Sequence, residues 1–136
     1  MADTILFELV SPERVLVSEQ VTEVQIPARE GFIGVLPGHA PLLVELMAGG
    51  VLTYRSEGAL KVIALFGGFA EVLPDRVRIL ADAAQRKEEI DLAVAQAELV
   101  TAQKQVDSMM AGAADPAVAL DQAMQAQARV DAVTKH

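Results

Sequence analysis

At 136 residues and 52% hydrophobic, the chain can bury the core of one ordinary domain, or of a small domain with an appendage, and is too apolar to be disordered. A net charge of -8, with no basic stripe to offset it, excludes nucleic acid as a partner and suits a soluble protein or a basic protein partner. The absence of cysteine excludes disulfides, thiolate catalysis and Cys-ligated metals.

Residues 1–8 place no basic segment ahead of an apolar one, so they do not read as a secretory signal. Within residues 32–52 only His39 and Glu45 are polar, but Pro37, Pro41 and glycines 34, 38, 49 and 50 would break a spanning helix repeatedly. No direct membrane insertion is expected; any membrane association comes through partners.

The chain changes character near residue 82. All five aromatics (Phe7, Phe32, Tyr54, Phe66, Phe69) lie before that point, and 15 alanines lie in the 54 residues after it. The first part reads as short strands with period-two alternation: Ile5/Phe7/Leu9, Val15/Val17 and Val24/Ile26, then 32–36, 42–46, 51–56, 60–66, 69–73 and 76–81. Turn signals separate them, among them Arg29-Glu30-Gly31, Pro37-Gly38, Gly49-Gly50 and Pro74-Asp75. About nine to ten strands with no helix between them predict a β-sandwich or barrel rather than a parallel sheet over residues 1–84, and the sandwich is the expected form. Residues 60–66 are apolar on both faces, so that strand is either buried on both sides or keeps one face for a partner.

Residues 85–136 read as an antiparallel two-helix hairpin. Leu92, Ala95, Leu99, Ala102, Val106 and Met109 recur at spacings of three and four, a seam along one helix face. Residues 111–116 interrupt it, with Gly112 as a helix end and Asp115-Pro116 as an N-cap followed by proline. The second helix is expected over 116–134, its seam formed by Leu120, Ala123, Ala126, Val130 and Val133. Alanine seams bury little apolar area, while alanine keeps each segment helical without help, so the hairpin is expected to open without unfolding.

No catalytic constellation emerges. His39, the only internal histidine, lacks a nearby nucleophile or orienting carboxylate and reads as a turn residue bonding to backbone. Gly31, Gly34 and Gly38 lack the Lys-Ser/Thr ending of a phosphate loop and read as corners of the sandwich. Glu88, Glu89 and Asp91 are placed at the start of the first helix, where carboxylates complement its dipole, and Met109-Met110 fills a helix end. An interaction protein is favoured over an enzyme; a hydrolase built on His39 is remote.

The string Glu30-Gly31-Phe32-Ile33-Gly34-Val35-Leu36-Pro37-Gly38-His39-Ala40-Pro41-Leu42-Leu43 resembles the signature of the ATP synthase epsilon subunit family, called delta in mitochondria. Val10-Ser11-Pro12-Glu13, Gly67-Gly68-Phe69-Ala70-Glu71-Val72 and Ile79-Leu80-Ala81-Asp82-Ala83-Ala84 agree with it in order and spacing. The resemblance implies a non-catalytic rotor subunit, without cofactor or metal, peripheral to the cytoplasmic face of a bacterial inner membrane. Its sandwich would dock on the gamma subunit and the polar loops of the c-ring, with residues from Glu30 to His39 (Glu30, Gly31, Phe32, Ile33, Gly34, Val35, Leu36, Pro37, Gly38, His39) at the partner interface. Its hairpin would either lie on the sandwich or extend into the alpha/beta catalytic head and restrain ATP hydrolysis.

Two departures bear on regulation. Members that bind ATP carry Ile/Leu-Asp-x-x-Arg-Ala, and here Ile90-Asp91-Leu92-Ala93-Val94-Ala95 puts valine in the arginine position. Ile90, Asp91 and Arg129 remain as residual nucleotide contacts, with Lys104 about 15 Å along the axis from Val94. Inhibitory members carry a basic second helix; here it has only Arg129 and Lys135 against Asp121 and Asp131. Weak or no ATP binding and a poor brake are expected, with a free-standing nucleotide-sensing module as the alternative.

Overall fold

In the computed structural model, which describes residues 3–110 and 116–136, ten strands and two helices follow in chain order. They are β1 (Ile5–Val10), β2 (Val15–Val21), β3 (Glu23–Ala28), β4 (Gly31–Val35), β5 (Leu42–Glu45), β6 (Gly50–Ser56), β7 (Ala59–Leu65), β8 (Gly68–Leu73), β9 (Arg76–Ala81), β10 (Ala84–Arg86), α1 (Leu92–Met110) and α2 (Pro116–Thr134). The strands form two five-stranded sheets, β2-β1-β9-β8-β5 and β10-β7-β6-β3-β4. All pairs are antiparallel except β1 with β9, which run parallel.

The expected alternation sets which faces meet. Ile5, Phe7 and Leu9 of β1, Val24 and Ile26 of β3, Leu52 and Tyr54 of β6, Ile63 and Leu65 of β7, and Val77 and Ile79 of β9 all point between the sheets. Removing each such aliphatic or aromatic side chain from water stabilises the fold by roughly 1.5–3 kcal/mol. At the centre the Phe7 and Tyr54 rings lie 4.9 Å apart and tilted, a geometry aromatic quadrupoles favour.

Burial, reinforced by the nearby Glu19 carboxylate, pushes the Tyr54 phenol up to about 12 from its ordinary 10.0. The folded protein therefore favours the neutral phenol. Its contribution is full below the unfolded value near 10 and is lost as pH rises toward about 12. Tyr54 is the only tyrosine and tryptophan is absent, so tyrosinate absorbance reports this one group. The expected result is a titration midpoint well above 10, with less denaturant needed to unfold the protein at about pH 11 than at about pH 8. A midpoint at 10 would place the phenol in water.

The two-faced apolar strand finds its second cover within the chain. Val62 and Ala64 on the outer face of β7, with Val51 and Phe66, pack against Ala128 and Ala132 of α2 and against Ile90. The hairpin thus lies on the sandwich, α2 against the sheet and α1 against α2. The approach is close at Gly49, where an added Cβ would sit 2.4 Å from both the carbonyl carbon and oxygen of Met124.

Three expectations need correction. The seam of α1 is as read, with Leu92, Ala95, Leu99, Ala102, Val106 and Met109 all withdrawn from solvent. On α2 the fully buried positions are Ala119, Ala126, Ala128 and Ala132, and Leu120 is exposed. That helix is gripped by α1 and by the sheet, so its buried arc is wider than one seam and rotated from it. Glu88 and Glu89 do not begin α1; they belong to a 3-10 turn at Lys87–Glu89. Asp91 is the residue that caps α1, its Oδ1 accepting the Val94 N–H at 3.2 Å. The tenth strand, β10, straddles residue 84 and pairs with β7 from Ala84 to Arg86. The expected break at 111–115, including Gly112 and Asp115, lies outside the described residues; α2 begins at Pro116 as read.

Candidate partner interface

The residues from Glu30 to His39 form an edge of the sandwich. Ala28 pairs with Gly31 and Pro27 with Phe32, so Arg29 and Glu30 make a two-residue turn between β3 and β4. Gly31 has φ of 139°, a value that side chains rarely adopt. The turn is braced by Arg29, whose Nη1 donates to both oxygens of Glu45 at 3.1 Å. β4 and β5 are the outer strands of their sheets. Between them a cleft of about 440 Å³ is lined by Glu30, Phe32, Ile33, Leu42, Val44 and Glu45, among others.

Pleating divides the string. Phe32 stands out, 64% exposed, and Leu36 and Leu43 are likewise open to solvent. Ile33 packs on the core, and Val35 is fully buried. Val35 therefore cannot touch a partner directly; it holds β4 in place. Gly34 faces Gln25, whose amide would lie 3.1 Å from an added Cβ. At the far end of β4, Gly38 (φ 86°) donates its N–H to Pro74 O at 2.8 Å, and the His39 N–H reaches Leu36 O at 3.2 Å. His39 Nδ1 donates to Ala40 O at 2.6 Å. The histidine is a turn residue bonded to backbone, as its sequence context indicated.

A second surface was not singled out from the sequence. On the outer face of the β2-β1-β9-β8-β5 sheet, Phe69 pairs with Leu80, Leu80 with Val10, and Val10 with Val15. Phe69, Leu80 and Val15 are each at least half exposed. Beside this apolar row runs a charged one, Glu71, Arg78 and Glu8, with Arg78 3.7 Å from Glu8. The available signal was phase: Phe69 and Leu80 are large apolar residues on the solvent side of the alternation.

The residual nucleotide contacts are not gathered into one site. Ile90 packs against the sheet under α2, and Asp91 caps α1. Arg129 does approach Val94, both lining a cleft of about 440 Å³ between the helices with Glu98, Thr101, Gln105 and Gln125. Its guanidinium is already engaged by Glu98 at 3.4 Å, by Gln85 Oε1 at 3.1 Å and by the Phe66 ring at 4.4 Å. Among the described residues no His, Asp and Glu side chains gather in a group able to hold a metal. No helix among them is long and apolar enough to cross a membrane.

Residues 4–87 match the model of the family described as ATP synthase, Delta/Epsilon chain, beta-sandwich domain. The chain is 51% identical over 135 residues to the ATP synthase epsilon chain of Solibacter usitatus (strain Ellin6076), covering 99% of each. It is 53% identical over 96 residues to that of Koribacter versatilis (strain Ellin345), covering 71% of this chain and 67% of that one. Among solved structures it superposes on a chain of the Euglena gracilis mitochondrial ATP synthase, OSCP/F1/c-ring in rotational state 1. The TM-score there is 0.76 at 27% identity, over 92% of this chain and 76% of the other.

Proposed function

Because the chain belongs to the ATP synthase delta/epsilon family, we propose that its sandwich docks on the gamma subunit and on polar loops of the c-ring and turns with them. It is a non-catalytic subunit of the central stalk. Rotation of the c-ring driven by protons is passed through this rigid body toward the alpha/beta head. The protein works at the cytoplasmic face of a bacterial inner membrane, held there by its partners.

The observation that carries this reading is the exposed apolar edge at Phe32, Leu36 and Leu43. Large apolar side chains concentrated at a sheet edge, beside a salt-bridged turn, mark a surface that another protein covers. The apolar row of Phe69, Leu80 and Val15, with charges alongside, supplies the broader face for gamma. The edge takes the c-ring loops.

Phe32→Asp tests this. Phe32 is exposed, so the fold should change by less than about 0.5 kcal/mol. Proton-driven ATP synthesis in reconstituted membranes is expected to fall several-fold, while hydrolysis by the detached head stays within error. Intact coupling with reduced hydrolysis would contradict the assignment of this edge.

The hairpin is a mobile element of the same subunit, able to leave the sandwich toward the catalytic head. As a brake it is weak: Arg129 is engaged within the protein and Lys135 pairs with Asp131 at 3.5 Å, leaving little to attract acidic loops. The same engagement, with Val94 in the arginine position, disfavours a free-standing nucleotide sensor.

A further inference from the structure

Alanine contacts alone give α2 little reason to stay on the sheet. Ala128 and Ala132 bury small side chains against Val51, Val62 and Ala64, and small apolar contacts of this kind slide and separate at low cost. One residue of α2 is different. The Arg129 guanidinium lies over the Phe66 ring, 4.4 Å from its centroid, just beyond the end of β7. Its Nε donates to Gln85 Oε1 on β10 at 3.1 Å, and its Nη1 reaches Glu98 on α1 at 3.4 Å. Gln85 is itself fixed, its Nε2 donating to Glu89 O at 3.0 Å, and the Glu89 carboxylate is held by both-oxygen contacts from Arg14 at 3.0 and 2.9 Å.

We propose that Arg129 is an internal latch, clamping the hairpin onto the sandwich through Phe66, Gln85 and Glu98 without a bound ligand. The proposal rests on the reading that the hairpin can leave the sandwich. Arginine suits the task because one planar group can stack on a ring and donate from its edge at the same time. Phe66 is buried and Arg129 largely so, which protects the stack from salt. The Glu98 carboxylate is half exposed, so its pairing is screened and contributes less. The stack and the Gln85 bond therefore do most of the holding. A lysine keeps the charge and loses both the plate and the fork.

The chain has no cysteine, so spin labels can be placed cleanly at Glu13→Cys and Ser108→Cys, both exposed, and the distances between them measured in the full-length protein. The unsubstituted hairpin should give one narrow distribution. Arg129→Leu is expected to raise the population at other distances about ten-fold. Arg129→Lys should behave nearly the same, and Glu98→Gln should change it less than about two-fold. Phe66→Leu removes the ring from the other side and should match Arg129→Leu, so the question stays measurable if one variant misfolds. Gly49→Ala, which presses on α2 elsewhere, separates the two ideas. Release by Gly49→Ala but not by the Arg129 and Phe66 variants overturns the latch and leaves hairpin mobility standing. Release by none of them overturns both.

Discussion

Gly68→Ala should destabilise the sandwich by about 4 kcal/mol, lowering the unfolding midpoint by roughly 15 °C. Gly68 has φ of 118°, which strains any residue with a side chain. A Cβ there would also lie 2.1 Å from the carbonyl oxygen of Leu80 and 2.9 Å from the Cα of Ala81. Those atoms belong to β9, which is hydrogen-bonded on its other side to β1. Neither can yield without breaking a ladder in the middle of the sheet. The Gly68 carbonyl in addition accepts the Leu46 N–H at 2.8 Å, which ties the start of β8 to the end of β5. Thermal and denaturant unfolding of the purified protein measure the loss. A change below about 1 kcal/mol would mean that β8 slides past β9 at little cost.

The same substitution at Gly49 should leave the sandwich folded and drive off the hairpin. No unusual φ is involved; the obstacle is the α2 backbone at Met124 and Gln125, 2.4 to 2.6 Å from the new Cβ. Contacts below about 3 Å are not tolerated between such atoms, so α2 must move. Overpacking of this kind costs roughly 1–3 kcal/mol, about a 5- to 150-fold increase in the undocked population. Helix content should be little changed by circular dichroism, because alanine-rich segments hold their own helicity. Amide exchange in α2 and tryptic cleavage at Lys104 and Arg129 should rise together. Unchanged exchange and cleavage would show that α2 shifts along the sheet without leaving it.

Much of this was legible in the residues, for a physical reason. Alternation in β1, β3 and β9 is decided locally by which side chains avoid water, and the α1 seam from Leu92 to Met109 is read from spacing alone. Three-residue β10 has no alternation to read; it exists because β7 offers Ile63, Ala64 and Leu65 as partners. The buried arc of α2 depends on a second surface, the outer face of β6 and β7, that no spacing within the helix announces. Gly49-Gly50 reads as a turn, yet Gly49 is where a helix from 75 residues later comes to rest. For the candidate interface, the string from Glu30 to His39 was visible as a unit, but only the pleat separates outward Phe32 from buried Val35. The packing role of Arg129 is not legible in the sequence, because its partners Phe66, Gln85 and Glu98 are distant along the chain.

The parallel pairing of β1 with β9 carries a consequence for synthesis. Leu6 lies opposite Arg76, 70 residues later, so one edge of β1 has no neighbour until β9 has been translated. At roughly 5–20 residues per second that is a wait of about 4–14 s. During that interval β1 and β2 can form their antiparallel pair, and β3, β4, β6 and β7 of the opposing sheet are made, but the second edge of β1 has nothing to pair with. The nascent chain thus carries an open, apolar strand edge through more than half of its own translation, and the helices, emerging last, settle on a sheet that is already complete.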